Sequence, residues 1–441
     1  MNTMNKLIGG SICIMKTKYA VVLSLILVFL MVGVATAQKQ DVTLTIYARA
    51  YTWNQDAPWE YAKAELQKRH PEINFTFIEE GFGWDDLRNK FLVTAGTDSA
   101  PDVVMVDTIW LGEYVDNGLI RDITEQALAW SEWDDIVDSF KESSKWNGRI
   151  YGIWLNTDVR VLAYNKKLFR AAGLDPDKPP TTWDELMEMA KAISDPPAVY
   201  GYAFPAMKEE DTAHRFYAFL HSAGGKILSD DMSEALFNSE AGVEALQFMV
   251  DLVNEEAASL NLGGTYSDID RGLFLDRYAM SIMTKPIGLA RDVIPGLTDE
   301  QYLEDFGVTA IPRHPDGEFA TQSGGYLLAV PTRSKHPELA WELITLATGA
   351  KAQFDYTVAR GYVPTRYSLM ERAEDYVSED PHFDVILKQL PYAYFRPSLP
   401  EYTEISNAIQ DAIQLALLGR MTPKAALDQA AERVNAILAN K

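Results

Sequence analysis

A carboxylate, a hydroxyl and an indole stand close together at Asp107, Thr108 and Trp110, directly after the apolar run Val103–Val106. Such a run of aliphatic residues is typical of a strand buried on both faces of a parallel sheet. In open α/β sheets, ligands bind at the carboxyl ends of the strands. A carboxylate accepts hydrogen bonds and an indole offers a flat apolar face, so this set could bind a molecule with polar edges and apolar faces. The alternative is structural, with Asp107 capping a turn and Trp110 packing in the core.

Polar and aromatic residues also follow two earlier predicted strands. Loops that begin where strands end are common places for binding residues, because the strands hold them in position. The two glycines beside Phe82 would permit a close backbone approach. The candidates are Tyr51, Trp53 and Asn54 after the first strand, and Glu80 and Phe82 after the second.

Catalysis is the second interpretation of these groups. Glu79, Glu80 and Asp107 could form the carboxylate pair of an exported glycoside hydrolase. The histidines show no H-E-x-x-H pattern and no clustered spacing, which argues against a zinc hydrolase. The chain has one cysteine, Cys13, and it lies in the N-terminal segment described next. We predict no metal and no cofactor.

The N-terminus has the pattern of a secretory signal peptide. Lys16 and Lys18 precede a long apolar stretch that ends in Ala35-Thr36-Ala37, and this order of a basic region, an apolar region and small residues is typical of cleaved signals. We predict a signal peptide over residues 1–37 with cleavage after Ala37, and therefore an exported protein. The apolar stretch is long enough that an uncleaved membrane anchor is the alternative.

The predicted mature chain is strongly acidic. Removal of the three lysines of the signal segment takes the formal charge from −23 to −26. Such a surface argues against nucleic acids and anionic membranes as partners. At this length a chain usually divides into two domains.

Strands alternate with helices in the first half of the chain. The predicted strands are residues 41–50, 73–80 and 102–107, with amphipathic segments between them. This alternation predicts βαβ units and a parallel sheet. The middle is mainly helical and includes a capping box at Thr182 and Glu185. Near the C-terminus, Gly419 and Thr422-Pro423 separate two predicted helices.

Five segments, taken in order, resemble a known family. They are APDVVMVDTIWLGEYVDNGLIRDIT, NGRIYGIWLNTDVRVLAYNKKLF, RYAM, SGGYLLAVPTRSKHPELAWELITLAT and the C-terminal LPEYTEISNAIQDAIQLALLGRMTPKAALDQAAERVNAIL. Each segment is weak evidence alone, but their order and spacing over the whole mature chain are specific. The sequence resembles extracellular solute-binding protein family 1, the maltose/trehalose-type carbohydrate-binding proteins of ABC transporters.

The resemblance implies an α/β fold of the two-lobed periplasmic-binding-protein class II type, with the ligand in a cleft between the lobes. It places three interlobe crossings near residues 155–157, 326–329 and 361–365. The N-terminal lobe would then comprise residues 41–155 plus 328–362. The C-terminal lobe would comprise residues 156–327 plus 363–441.

The resemblance also adds candidate ligand-binding residues to Asp107, Trp110 and the loop residues named above. These are Trp154 and Asn156 at the first crossing, Gly324, Gly325 and Tyr326 at the second, and Arg360 at the third, together with Lys285, and with Tyr394 and Arg396 on an aromatic-rich loop. Lys285 marks a departure, because the family commonly has an aromatic residue near this position. The ligand could therefore be a neutral sugar or an anionic, sugar-like polyol.

We predict a binding protein and not an enzyme: it captures a carbohydrate between two hinged lobes and delivers it to the permease subunits of an ABC transporter. We expect a monomer in the periplasm or cell envelope. The exported glycoside hydrolase is one alternative. A passive surface or adhesion protein is another, and it would not require a polar, aromatic cleft.

Overall fold

The computed structural model describes residues 39–50, 58–377 and 380–440. Within these ranges, no helix has both the length and the apolar character needed to cross a membrane. The described chain forms two compact units. The small unit contains residues 39–43 and 67–76, and the large unit contains the other described residues.

Strands and helices follow one another along the described chain. The strands are β1 (Gln40–Arg49), β2 (Ile73–Phe82), β3 (Val103–Asp107), β4 (Lys145–Trp146), β5 (Arg149–Ile150), β6 (Ile153–Val159), β7 (Val161–Asn165), β8 (Tyr200–Pro205), β9 (Ala258–Asn261), β10 (Tyr278–Met283), β11 (Phe306–Thr309), β12 (Thr321–Ala329) and β13 (Ala393–Phe395). The three strands predicted in the first half of the chain are confirmed, with ends shifted by one or two residues.

The α-helices carry the chain between these strands. They are α1 (Pro58–Arg69), α2 (Trp84–Thr94), α3 (Leu111–Asp116), α4 (Thr124–Ala129), α5 (Asp138–Ser143), α6 (Lys166–Ala171), α7 (Trp183–Ile193), α8 (Glu210–Ser222), α9 (Glu240–Asn254), α10 (Tyr266–Phe274), α11 (Pro286–Val293), α12 (Asp299–Asp305), α13 (Pro337–Thr348), α14 (Ala350–Arg360), α15 (Tyr367–Met370), α16 (Ala373–Val377), α17 (Phe383–Leu387), α18 (Tyr402–Leu417) and α19 (Pro423–Leu438).

The first sheet mixes parallel and antiparallel strands. Its order is β13-β12-β3-β1-β2, and β6 also pairs with β12. β1 and β3 are parallel, whereas β12 runs antiparallel to both β3 and β6. The parallel pairing predicted for the first half of the chain is therefore confirmed for β1 and β3, and β12 makes the whole sheet mixed. β12 comes from a distant part of the chain, so the local alternation of strands and helices carries no signal of its direction.

The second sheet has the order β11-β7-β10-β8-β9. β10 runs parallel to β8 and antiparallel to β7. One side of this sheet packs against α10 and α11 through a buried apolar cluster that includes Leu273, Met283 and Ile287. This packing holds the start of α11 in place, where Lys285 lies.

The local signals in the sequence act as expected. The Thr182 side chain accepts from the Glu185 amide, and the Glu185 side chain bonds back to the Thr182 backbone, so the predicted capping box begins α7. Gly419 adopts the left-handed φ of 65° just after α18, and Thr422 caps α19 with Pro423 in its first turn.

The three predicted crossings lie side by side. Asn156 pairs with Tyr326 across β6 and β12. The Thr157 amide donates to the Val363 carbonyl (3.1 Å), and the Val363 amide donates to the Thr157 carbonyl (3.0 Å). Thr157 is thus bonded to the third segment while its strand pairs with the second. The exact lobe boundaries stay a prediction.

Candidate functional site

A cavity of about 720 Å³ lies beside these three segments. Its wall includes the end of β3, parts of β6 and β12, the first turns of α8, and α10 and α11. Charged side chains dominate this wall. The cations are Arg49, Arg160, Arg215, Lys285, Arg291 and Arg396, and the carboxylates are Asp85, Asp107, Asp158, Glu209, Glu210, Asp211, Asp270 and Asp292.

Asp107 reaches this wall from the end of β3, but its carboxylate is already occupied. Oδ1 accepts from the Ile109 amide (3.3 Å), which caps the turn after the strand. Oδ2 accepts from Trp84 Nε1 (2.9 Å), and Arg396 Nη2 donates to both oxygens (2.9 and 3.2 Å). Asp107 is only 3% exposed. Both the capping interpretation and the cavity position therefore hold, while contact between Asp107 and a ligand stays a prediction.

Arg396 joins two elements across the cavity wall. Besides Asp107, it pairs with Glu210 at the start of α8, where Nη1 donates to Oε1 (3.1 Å). Glu210 also accepts from the Tyr402 hydroxyl (2.7 Å) and from Ser406. Burial raises the pKa of Glu210, and the neighbouring Arg396 opposes that rise. These bonds make Arg396 a structural cation of the wall.

A second ion-pair chain runs along the same wall. Arg160 donates to Asp211 (3.0 Å), and Arg215 bonds both Asp211 (3.3 Å) and Asp270 (3.2 Å). Burial raises the pKa of Asp270 to about 7, although Arg215 lowers it. Burial likewise raises the pKa of Glu209 to about 7.

Several buried polar atoms on the wall make no hydrogen bond within the described structure. They include Asp158 Oδ1 and His214 Nδ1, together with Nε and Nη1 of Arg215 and Nε of Arg396. Arg160 Nη1 lies 3.9 Å from Asp158 Oδ1, and Glu210 Oε1 lies 4.0 Å from His214 Nε2. Burial raises the pKa of Asp158, and burial together with nearby arginines holds the pKa of His214 well below its ordinary value. His214 is therefore a neutral imidazole at physiological pH.

The second predicted crossing supplies backbone to the wall through Gly324, Gly325 and Tyr326. A Cβ at Gly324 would lie 3.3 Å from Arg396 Nη2, so glycine leaves room for that cation. At Gly325 φ is 151°, and a Cβ would lie 2.3 Å from the Asn156 carbonyl oxygen. Only glycine allows the strands to approach this closely.

Lys285 lines the cavity as well. It adopts a left-handed conformation (φ 50°) just before α11, and its Nζ lies 3.9 Å from the centre of the Tyr362 ring. Both Lys285 and Arg396 thus face the cavity. The aromatic partner of Lys285 comes from the third crossing.

Six other predicted site residues do not line the cavity. Trp110 is 1% exposed, and its ring packs 4.8 Å from that of Trp84. Trp154 and Asn156 are also buried, and Trp154 packs 4.8 Å from Phe140. The two indole rings are used in core packing, and the Asn156 side chain is fully buried.

The remaining three lie on edge strands of the first sheet. Glu80 lies 4.0 Å from Lys90, and Phe82 packs on Tyr47 at 5.2 Å. Tyr394 stacks on His221 with ring centres 4.1 Å apart. The sequence pattern identified these residues by their type, but the sheet order places them away from the cavity.

Four predicted residues cannot be placed in the site. Tyr51, Trp53 and Asn54 lie outside the described residues, as does the side chain of Arg360, whose backbone ends α14. Their contact with ligand stays a prediction.

Several wall residues are not among the predicted site residues. Trp84 is half-buried and Tyr266 is 40% exposed, and both line the cavity. Asp158 and Arg160 also line the cavity. They are two residues apart in an extended segment, so their side chains share a face, and this spacing could have identified them together. Nothing in the local sequence pointed to His214. Within the described chain, no group of His, Cys, Asp and Glu side chains could hold a metal ion.

Residues 51–354 match the sequence profile of the bacterial extracellular solute-binding proteins. A protein of Deinococcus radiodurans named "Probable ABC transporter-binding protein" is 26% identical over 420 residues, which cover 93% of this chain and 96% of that protein. An ABC transporter solute-binding protein of Thermotoga lettingae, solved with α-D-tagatose, is 28% identical with a TM-score of 0.81 and covers 91% of this chain and 100% of its own.

A maltose-bound protein of T. maritima is 26% identical with a TM-score of 0.75, covering 90% of this chain and 99% of its own. These similarities extend over both sheets and confirm the two-lobed α/β fold predicted from the sequence. On the profile match and the shared fold, this chain belongs to the bacterial extracellular solute-binding protein family.

Proposed function

We propose that this protein is the substrate-binding component of an ABC transporter, which captures a carbohydrate between two hinged lobes and delivers it to a membrane permease. The observation that carries the proposal is the cavity of about 720 Å³ at the three crossing segments, where hydrogen-bonding groups meet the rings of Trp84 and Tyr266. Clefts of about 300–1,000 Å³ are typical of small-ligand sites. The tagatose- and maltose-bound proteins of the same fold support a carbohydrate as the ligand.

The protein binds its ligand without changing it. Of the three carboxylates in the hydrolase interpretation, Asp107 lines the cavity and is bonded to Arg396. Glu79 is bonded to Lys63, and Glu80 lies 4.0 Å from Lys90, both away from the cavity wall. The three residues therefore do not present two carboxyl groups to one glycosidic bond, as a hydrolase requires. This supports a binding role over the exported glycoside hydrolase.

The protein acts outside the cytoplasm as a monomer. The N-terminal pattern supports cleavage after Ala37, and membership of an extracellular family supports export. Mass determination of the protein isolated from its native envelope tests this. A mature chain beginning at Gln38 is expected, and a retained N-terminus would favour the membrane anchor instead.

Calorimetric titration with a panel of sugars tests the proposed ligand class. The panel contains ribitol, D-tagatose, maltose and maltotriose, with amino acids and a dipeptide as comparison solutes. We expect at least one carbohydrate to bind with one-to-one stoichiometry, and chromatography of the released ligand should show no cleavage products. Binding of an amino acid or peptide alone would overturn the carbohydrate assignment, and product formation would favour the hydrolase.

A matched pair of glycine variants shows whether binding occurs in this cavity. Gly324→Leu places a side chain against Arg396 Nη2 on the wall, whereas a Cβ at Gly96 would meet no atom within 4 Å. We expect Gly324→Leu to abolish binding and Gly96→Leu to retain it, with both variants folded by circular dichroism. Equal affinity in both variants would locate the ligand elsewhere.

A further inference from the structure

The wall of the cavity is poorly suited to an anion. Its eight carboxylates outnumber its six cations. Arg396 is committed to Asp107 and Glu210, Arg215 to Asp211 and Asp270, and Arg291 to Asp299 at 2.7 Å. Arg215 and Arg396 keep buried N–H groups without a hydrogen bond, but each guanidinium already has two carboxylate partners. A phosphate or carboxylate that reached these N–H groups would be repelled by those carboxylates, whereas a hydroxyl oxygen could accept from them without adding a charge.

Asp158 Oδ1 and His214 Nδ1 could each still form a hydrogen bond with a ligand. Both atoms are buried on the cavity wall and make no hydrogen bond in the described structure, and His214 is only 3% exposed. A buried polar group without a partner costs free energy, and a ligand that supplies the missing bond recovers it. Arg160 contacts the first of these groups and is bonded to Asp211, which lies one helical turn before His214.

A hydroxyl group suits both atoms. It donates to a carboxylate, and it can donate to or accept from a neutral imidazole, depending on the tautomer. An uncharged polyol adds these bonds without bringing a charge close to the wall carboxylates. The rings of Trp84 and Tyr266 could cover its C–H surface.

We propose that Asp158 and His214 are specificity-determining residues that bond hydroxyl groups of an uncharged polyhydroxy ligand, and that the surrounding carboxylates exclude phosphorylated or acidic forms of it. The proposal rests on the carbohydrate function proposed above and narrows it to neutral ligands. It also decides between the two ligand classes that the sequence left open at Lys285.

Calorimetry with matched sugar pairs tests the charge preference. The pairs are ribitol with ribitol 5-phosphate, D-tagatose with D-tagatose 6-phosphate, and maltose with maltose 6′-phosphate. In any pair that binds, the neutral member should bind at least about tenfold more tightly, the ratio expected from losing about 1.4 kcal/mol. A phosphorylated member that binds more tightly would overturn the proposal while leaving the carbohydrate function intact.

Substitutions test the two residues directly. Asp158→Asn keeps the shape but removes an acceptor, and His214→Phe keeps the ring but removes both nitrogens. Each should weaken binding of the neutral sugar by about tenfold or more, the range for a hydrogen bond to a charged or buried group. His214→Asn, which keeps a polar atom close to the position of Nδ1, should restore part of the affinity. The exposed carboxylate variant Asp184→Asn is the control and should bind as the wild type does.

Unfolding without ligand separates binding from structural roles. Asp158 Oδ1 accepts no hydrogen bond, and its nearest cation, Arg160 Nη1, is 3.9 Å away. Asp158→Asn should therefore leave the urea midpoint unchanged or raise it. Glu210→Gln, which loses bonds to Arg396, should lower the midpoint. If the urea midpoint falls equally for Asp158→Asn, Asp158 is a structural partner of Arg160. That result would overturn its assignment as a specificity-determining residue. If only an amino acid or peptide binds, the carbohydrate function fails, and the effect of Asp158→Asn on that solute still decides the role of Asp158.

Discussion

At the scale of single residues, the carboxylate of Asp107 shows how one side chain serves both fold and site. It caps the turn after β3, accepts from Trp84, and pairs with the buried Arg396. Because these bonds use both oxygens, its removal should affect the folded state even without ligand.

Asp107→Ala should therefore destabilise the protein by about 3 kcal/mol, since breaking a buried ion pair leaves its partner poorly compensated. Glu210 remains beside Arg396 and limits the loss. Urea unfolding of the ligand-free protein measures this, with Asp184→Asn as a surface control. A change within about 0.5 kcal/mol, the range of ordinary surface substitutions, would show that Asp107 is not a structural residue.

His221 should make stability depend on pH. Burial lowers its pKa to about 4 from an ordinary value of 6.5, although the Gly225 carbonyl, 3.0 Å from Nδ1, partly opposes this. The folded state thus binds fewer protons than the unfolded state between these values. The contribution of His221 to the free energy of unfolding is fully present above pH 6.5 and is lost as the pH falls towards 4. The loss should be about 2 kcal/mol between pH 7 and pH 5.

His221→Phe cannot take up this proton, so its free energy of unfolding should fall less than that of the wild type over the same range. Tyr394→Phe is the matched control, because it keeps the ring that stacks on His221. Urea unfolding at pH 7, 6 and 5 gives the change in the free energy of unfolding with pH for the wild type and for each of the two variants. Parallel slopes for wild type and His221→Phe would mean that His221 already carries a proton in the folded state.

At the scale of elements, the pairing of β12 with β6 depends on Gly325. Its φ of 151° lies where residues with side chains are rarely found, and a Cβ would approach the Asn156 carbonyl oxygen and the Trp154 ring. The register of the two strands shifts at the next residue pair. A glycine therefore sets the distance between two of the predicted crossing segments.

Gly325→Ala should destabilise the protein by several kcal/mol, because backbone strain and a steric clash act together. Thermal unfolding beside Gly96→Ala, where a Cβ would meet no atom within 4 Å, tests this. If the free energies of unfolding of Gly325→Ala and Gly96→Ala agree to within about 0.5 kcal/mol, the range of ordinary surface substitutions, the strands can move apart without loss of stability.

At the scale of the whole molecule, the two larger sheets are connected through a small set of adjacent segments. Thr157 of β6 bonds Val363, and Asn156 pairs with Tyr326 of β12. Lobes joined in this way can move as hinged bodies around a ligand, with the φ and ψ changes confined to the connecting residues.

Small-angle scattering should therefore show a smaller radius of gyration when the tightest-binding sugar of the panel is present at saturation. Gly324→Leu, whose cavity is blocked, should show no change under the same conditions. Superimposable curves for the wild type, at a saturation confirmed by calorimetry, would contradict hinge closure.

Much of the fold could be predicted from local patterns. The apolar run before Asp107, the capping box at Thr182 and the stop at Gly419 depend on neighbouring residues, and all three appear in the structure. The family motifs extend this to the two-lobed arrangement. The antiparallel insertion of β12 could not be predicted, because it pairs residues that are more than two hundred positions apart.

The sequence by itself determined which segments form strands and helices, the export signal pattern, the acidic charge and the family, because these follow from residue order and composition. Only the tertiary structure decided which polar side chains meet. It placed Trp110 and Trp154 in the core, joined Asp107 to Arg396, and brought Asp158 and His214 to one cavity wall. The physical reason is that a strand pattern shows which side chains share a face, whereas the partner covering that face comes from distant parts of the chain.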